Sequence, residues 1–214
     1  MTYNDIVTPI RKTQYGEADI IYTFISAHHG RIDAIAKGIR KTTSRKRGNI
    51  ELGAFTSMQF AKGKNMDVAI EANMLDYNED LFSHTGLILL YKILPLLNKY
   101  CTDIEHTTKT FNIVKEAFIQ FDSDTAIFYE CYLKYNLLSI QDLLPDWSKC
   151  MVCQVKYDFL DKANPDIGLL ICNNCARKIE PMSFSTPTSV QDLEGKKENL
   201  EYLQVLLKIL DRFI

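Results

Sequence analysis

The chain has 214 residues, 46% of them hydrophobic and 24% charged, proportions that fit a folded protein of one or two domains with a real core. No uninterrupted apolar run approaches the length of about 18 residues that a transmembrane helix needs, and the richest stretch, residues 86–97, is broken by Lys92 and Pro95. The N-terminus lacks the basic start and apolar stretch of a signal peptide, so the cytoplasm is the expected compartment. The net formal charge of −2 conceals an asymmetry, since residues 1–76 carry 11 Lys/Arg against 8 Asp/Glu while the remainder is acidic. A basic first part joined to an acidic second part implies different partners for each.

The first 76 residues read as five short strands. Residues 3–10 form a β-prone run, and residues 19–25 are dense in β-branched and aromatic side chains. Residues 31–37 follow Gly30, a turn residue, and residues 55–61 alternate loosely. Residues 66–72 alternate most cleanly, which places Met66, Val68, Ile70 and Ala72 on one face after a hairpin turn at Gly63-Lys64-Asn65. Five strands in so short a span predict a small barrel or sandwich, of which a five-stranded OB barrel is one solution.

From about residue 77 the period becomes helical. Four stripes recur at helical spacing: Leu81, Ile88, Tyr91, Leu94 and Leu97; Phe111, Val114, Phe118 and Phe121; Ile127, Phe128, Cys131, Tyr135 and Leu138; and Leu203, Leu206, Leu210 and Phe213. They predict amphipathic helices packed as a bundle, interrupted by a cysteine-rich insertion. The reading is α+β and multidomain: a small β-barrel or sandwich over residues 1–76, then a helical domain over 77–214 with a zinc finger at about 147–180.

Four of the six cysteines form two Cys-x-x-Cys pairs, Cys150/Cys153 and Cys172/Cys175, separated by 18 residues. This is the spacing of a four-cysteine zinc site. Each pair sets two thiolates on one edge, and two edges close a tetrahedron around one Zn²⁺. With every position taken by protein, no water can be activated, so the ion is expected to be structural. Cys101 and Cys131 lie in apolar helical stretches and read as buried small hydrophobes.

Between the third and fourth strands lies a basic segment. Lys37, Arg40, Lys41, Arg45, Lys46 and Arg47 carry six cations with no acid among them, and Thr42, Thr43 and Ser44 sit in their midst. Cations with hydroxyls suit phosphate oxygens. If all six met phosphates of a single strand, log affinity would fall against log salt with a slope of about −4. The bland alternative is a solvated loop that aids solubility. The strand aromatics Tyr22, Phe24, Phe55 and Phe60 either stack bases or fill the core. No catalytic set is visible: there is no P-loop, HExxH or GxSxG, and His28-His29 on a strand would point opposite ways. The expectation is a protein that is not an enzyme.

Three segments, Tyr15-Gly16-Glu17-Ala18-Asp19, His29-Gly30-Arg31-Ile32 and Ala36-Lys37-Gly38-Ile39-Arg40, in this order and at these spacings, resemble the N-terminal region of the RecO family. The Ser44-Arg45 step and Glu71-Ala72 are also similar, and the Cys-x-x-Cys pairs match its zinc-binding members. The resemblance implies an N-terminal OB fold and a helical domain carrying a zinc finger. It implies a recombination mediator in DNA repair that binds single- and double-stranded DNA and anneals complementary strands. Together with RecR such a protein helps load RecA onto DNA coated by the single-strand-binding protein SSB, in the cytoplasm at the bacterial nucleoid. Carried onto this chain, the DNA-contacting candidates are Arg31, Lys37, Arg40, Lys41, Arg45, Lys46 and Arg47, and the metal ligands are Cys150, Cys153, Cys172 and Cys175. Lys134, Arg177 and Lys178 are candidates for a basic pocket that takes the acidic SSB tail. Three other readings stand beside this one: an RNA-binding OB and zinc module, a scaffold that binds only proteins, and an unrecognised enzyme such as a nuclease.

Overall fold

The computed structural model describes residues 1–144, 146–157, 162–164, 169–177, 181–187, 190–197 and 199–214. The chain divides into two compact units, Met1–Ala126 and Ile127–Ile214.

The first unit is built on a closed five-stranded barrel. Strands β1 (Thr2–Tyr15), β2 (Asp19–Ser26) and β3 (Arg31–Ala36) form an antiparallel meander. After a long connection, β4 (Phe55–Ala61) and β5 (Asp67–Asp76) form a hairpin; β5 pairs in parallel with β3, and β4 returns to pair antiparallel with β1. The order β1-β2-β3-β5-β4 closes on itself and is OB-like. A single long β1 serves both neighbours, because its first half faces β4 and its second half faces β2. The changeover is at Val7, which pairs with both, and within the β2 ladder the register skips Ile10 after Pro9; a proline has no N–H to give a ladder, so a bulge is where it is tolerated.

The barrel interior is filled by Val7, Phe24, Ile32, Met58 and Phe60 among others, all at most 5% exposed. The alternation expected in β5 is corrected by a second bulge. Gln59 pairs with Glu71 and Phe60 with Ala69, so Ile70 is passed over. The inward residues are therefore Ala69 and Ala72, while Ile70 is 38% exposed. Gly30 turns β2 into β3 with φ of 70°, and an added Cβ there would lie 2.8 Å from the Cα of Ile104. Both the left-handed backbone and the close approach exclude a larger residue.

Two helices belong to this unit. Helix α1 (His84–Tyr100) is capped by the Ser83 hydroxyl, and α2 (Ile104–Ile119) by the Asp103 carboxylate. They pack on β1 and β2. Phe55 of β4 meets Phe111 and Phe118 of α2 at ring distances of 5.8 and 6.4 Å. The α2 stripe is buried throughout as expected. On α1 the buried line runs through Leu89, Leu90, Ile93, Leu94 and Leu97, whereas Ile88 and Tyr91 of the expected stripe are exposed. Each residue advances about 100° around the axis, so a line centred on Leu90 and Leu97 leaves Tyr91 a quarter-turn outside.

In the second unit, α3 (Ala126–Ile140) is buried on every side from Phe128 to Leu138, so it is a central rather than a one-faced helix. Strands β6 (Lys162–Asn164), β7 (Leu169–Ile171) and β8 (Met182–Ser183) form a small sheet in the order β7-β6-β8. Short helices α4 (Asn173–Ala176) and α5 (Val190–Glu194) lead to α6 (Leu200–Leu210), whose Leu203, Leu206 and Leu210 are fully buried. Tyr202 fixes the approach to α6: it stacks on Phe184 at 4.9 Å and donates to the Ser185 carbonyl at 2.8 Å.

Candidate nucleic-acid interface and metal centre

The basic segment is a ladder of turns clamped to the barrel. Its root is held by Asp19, whose carboxylate accepts from the Gly38 N–H at 2.7 Å, and by the Ala18 carbonyl, which accepts from Arg40 N–H at 3.0 Å. Successive i+3 bonds follow from Lys41 to Gly38, Ser44 to Lys41, Arg47 to Ser44 and Asn49 to Lys46. Ile39 and Ile50 are buried at either end, 4% and 3% exposed, and tether the segment to the core.

This anchoring sorts the cations. Lys37, Arg40, Lys41, Arg45 and Arg47 are exposed. Lys46 is turned inward: its ammonium donates to the Ala69 carbonyl at 2.9 Å, and burial pushes its pKa below the ordinary lysine value against the opposing charge of Asp19. Five exposed cations on a rigid base form an electropositive ridge that phosphates can meet with little ordering cost.

In the second unit the four cysteine sulfurs lie within 4.8 Å of one another, with Cys153 Sγ and Cys172 Sγ 3.9 Å apart. A tetrahedron with metal–sulfur bonds of about 2.3 Å has edges of about 3.8 Å, so the set fits a tetrahedral ion. Each pair is shaped by its own turn. Cys150 N–H donates to Val155 O and Gln154 N–H to Cys150 O, with Gln154 at φ 61°. Cys172 stands at the N-cap of α4, where Ala176 N–H returns to its carbonyl. The Tyr157 hydroxyl, assisted by the Cys175 N–H, lowers the Cys172 thiol to about 6, while burial and its sulfur neighbours push Cys175 up to about 12. Four sulfurs so close cannot all be thiolates unless a cation sits among them, which is the donor chemistry of a structural metal site.

Residues 1–78 match the family described as "Recombination protein O N terminal". Over 96% of its length the chain is 25% identical to the DNA repair protein RecO of Dehalococcoides mccartyi, covering 87% of that relative. It is 24% identical to the DNA repair protein RecO of Cutibacterium acnes over the same share of the chain and 82% of the relative. Over 75 residues, 35% of this chain, it is 39% identical to the DNA repair protein RecO of a Nocardioides species, covering 31% of that protein. The chain is thus similar to RecO proteins over nearly its whole length, with the family's N-terminal model matched over its first 78 residues.

On this barrel the remaining candidates sit apart from the ridge. Arg31 lies at the other end of β3 from Lys37, half-buried, with Nη1 on the Asn98 carbonyl at 3.0 Å and Nε 3.4 Å from Asp33. Tyr22, Phe24, Phe55 and Phe60 are at most 3% exposed, so none offers a ring face to solvent. His28 and His29 are bound to Asp5, a residue that no sequence motif singles out. Both Nδ1 atoms meet the carboxylate of Asp5, at 2.8 and 2.7 Å, and the N–H groups of Ile6, His28 and His29 also donate to it. Burial raises the Asp5 pKa, but these donors outweigh it and hold the carboxyl below its ordinary value.

Of the three cations considered for an acidic tail, Lys134 is 5% exposed and ion-paired to Glu130 at 2.7 Å and Asp211 at 2.5 Å. Its charge is already neutralised within the unit. Arg177 is exposed, and Lys178 lies outside the described residues. Among the described residues no helix is long and apolar enough to cross a membrane.

Proposed function

We propose that this chain is a recombination mediator that binds single- and double-stranded DNA along the ridge Lys37, Arg40, Lys41, Arg45 and Arg47. The carrying observation is that these five cations are exposed on turns held to the barrel by Asp19, Ile39 and Ile50. Phosphates meeting the ridge release counterions, and two strands held there lose much of their mutual repulsion. Annealing then requires proximity and charge neutralisation, with no bond made or broken by the protein. Lys46 acts within this reading as the clamp of the ridge. Arg31 contributes a cation at the far end of β3 to a strand that crosses the barrel.

The four cysteines hold one structural Zn²⁺ that braces the second unit. In the bacterial cytoplasm, at the nucleoid, the protein would work with RecR on DNA coated by SSB and so favour RecA loading. The relatives that cover most of the chain carry the name of a DNA repair protein, which supports this setting.

The test is fluorescence anisotropy of a labelled single strand over a salt series. The native chain should show a log–log slope of about −3.5 if all five ridge cations engage a single strand. The variant with Lys37, Arg40, Arg45 and Arg47 all changed to Glu should lose binding at moderate salt while keeping its melting temperature. Equal binding by both proteins would move the DNA elsewhere, and no binding by either would favour a protein-only scaffold.

A further inference from the structure

A cavity of about 260 Å³ opens on the barrel beside the basic ridge, entirely within the first unit. Its floor is apolar and buried, made by Ile39, Ile50 and the edge of Tyr22, with the half-buried Ile20 on one side. Its rim is charged: Arg40 and Arg47 come from the ridge, while Lys12 of β1 stands 3.9 Å from Glu51. An inorganic anion would use the rim and leave the apolar floor without purpose. A wholly apolar ligand would strand the guanidinium groups. The combination suits a ligand that is flat and apolar in the middle and anionic on both sides.

Tyr22 adds a directional feature. It is 3% exposed and lines the cavity, and its hydroxyl, which bonds to no other described residue, is not among the fully enclosed polar atoms without a partner, so the oxygen is open to solvent and to a ligand there. Burial, with Glu51 adding its charge, pushes this phenol up to about 12, so it stays a donor at neutral pH.

We propose that this cavity receives one unstacked nucleobase of a single DNA strand, its edge accepting from Tyr22 and its flanking phosphates held by Arg40 and Arg47. The proposal rests on the reading that DNA follows the ridge, and it adds the position where a base is gripped. A paired base cannot enter without leaving its stack, so the cavity favours single strands over duplex. It also gives annealing an order: a base leaves the cavity as it finds its complement, and the duplex is then held by phosphate contacts alone.

The experiment compares two labelled single strands of equal length, one of thymidines and one with abasic sites, by anisotropy at fixed salt. The native chain should bind the thymidine strand about tenfold tighter, the scale of one seated base. Ile20→Gln, at a half-buried position on the cavity wall, should bring the thymidine strand down to the abasic level while leaving the salt slope unchanged. Tyr22→Phe removes one oxygen and keeps the core volume, and it should reduce the preference about fivefold. Equal binding of both strands by the native chain, or a preference that survives both substitutions, would overturn the cavity while leaving the ridge in place. Failure of the native chain to bind either strand would overturn the ridge and the cavity together.

Discussion

The ammonium of Lys46 donates to the carbonyl oxygen of Ala69 at 2.9 Å, joining the basic segment to β5 across the mouth of the barrel. A cation that looks in sequence like one of six equal neighbours is thus a structural tie. The physical difference between it and Arg45 is direction. One turns into the barrel where a carbonyl waits, and the other stays in water.

This difference is measurable. Lys46→Met should lower stability by about 1 kcal/mol through the lost charge-assisted bond. Arg45→Ala should leave the melting temperature unchanged and reduce the magnitude of the single-strand salt slope by about 0.7, the contribution of one phosphate contact. Salt-series anisotropy paired with thermal melting separates the two. A slope change in Lys46→Met as large as that of Arg45→Ala, with no loss of stability, would place Lys46 among the phosphate contacts.

Asp5 sets the acid limit of the barrel. Its folded pKa is lowered from the ordinary 3.8, so its stabilising effect is fully present above that value and is lost as pH falls through the lower folded one. Protonation removes the acceptor shared by His28, His29 and Ile6. Asp5→Asn should destabilise the unit by about 2–3 kcal/mol at neutral pH, and its unfolding should depend less on pH below about 4 than that of the native chain. Urea titrations between pH 3 and pH 7, monitored by far-ultraviolet dichroism, would show this. Parallel acid profiles for both proteins would mean that another carboxylate sets the limit.

Metal removal should act on one unit. The cysteine sulfurs all come from the second unit and brace a sheet of two- and three-residue strands, too small to be stable alone. Chelation at neutral pH should release one metal ion per chain, zinc on the proposed reading, and make the chain around Cys150–Cys153 and Cys172–Cys175 accessible to protease, whereas Met1–Ala126 should stay protected and any DNA binding should persist. Elemental analysis with limited proteolysis checks both halves. Loss of DNA binding on chelation would tie the metal to the interface.

What the sequence disclosed follows from how local each signal is. Phe55–Ala61 is recovered at its bounds because its alternation and its turn lie within a few residues. The Cys-x-x-Cys pairs are legible because spacing alone fixes which thiols can converge. The bulge at Ile70 is invisible because it depends on which residues of β4 lie opposite, a property of the pair and not of either strand. Asp5 was hidden for a similar reason. It lies 23 and 24 positions from its histidines, and neither end of that contact has a distinctive neighbourhood in sequence. For Lys134 the helical stripe was read correctly on one face, but burial of the whole helix was not, so the fate of its charge could not be foreseen.

Lys134 offers the sharpest energetic test. It is enclosed with Glu130, both under 10% exposed, and Asp211 reaches in from the end of α6. Burial opposes its charge, and the two carboxylates more than offset that, so its pKa is raised and the cation persists at every physiological pH. Removing one partner of a buried pair costs more than the pair contributes, because the other buried charge loses that counterion. Lys134→Met should therefore destabilise the second unit by about 3–5 kcal/mol. The double variant Lys134→Met with Glu130→Leu should recover most of that loss, since no uncompensated charge then remains inside. Denaturant unfolding of the four proteins in this cycle gives the coupling directly. Additive effects would show that Asp211 alone neutralises the lysine and that Glu130 reaches solvent by another route.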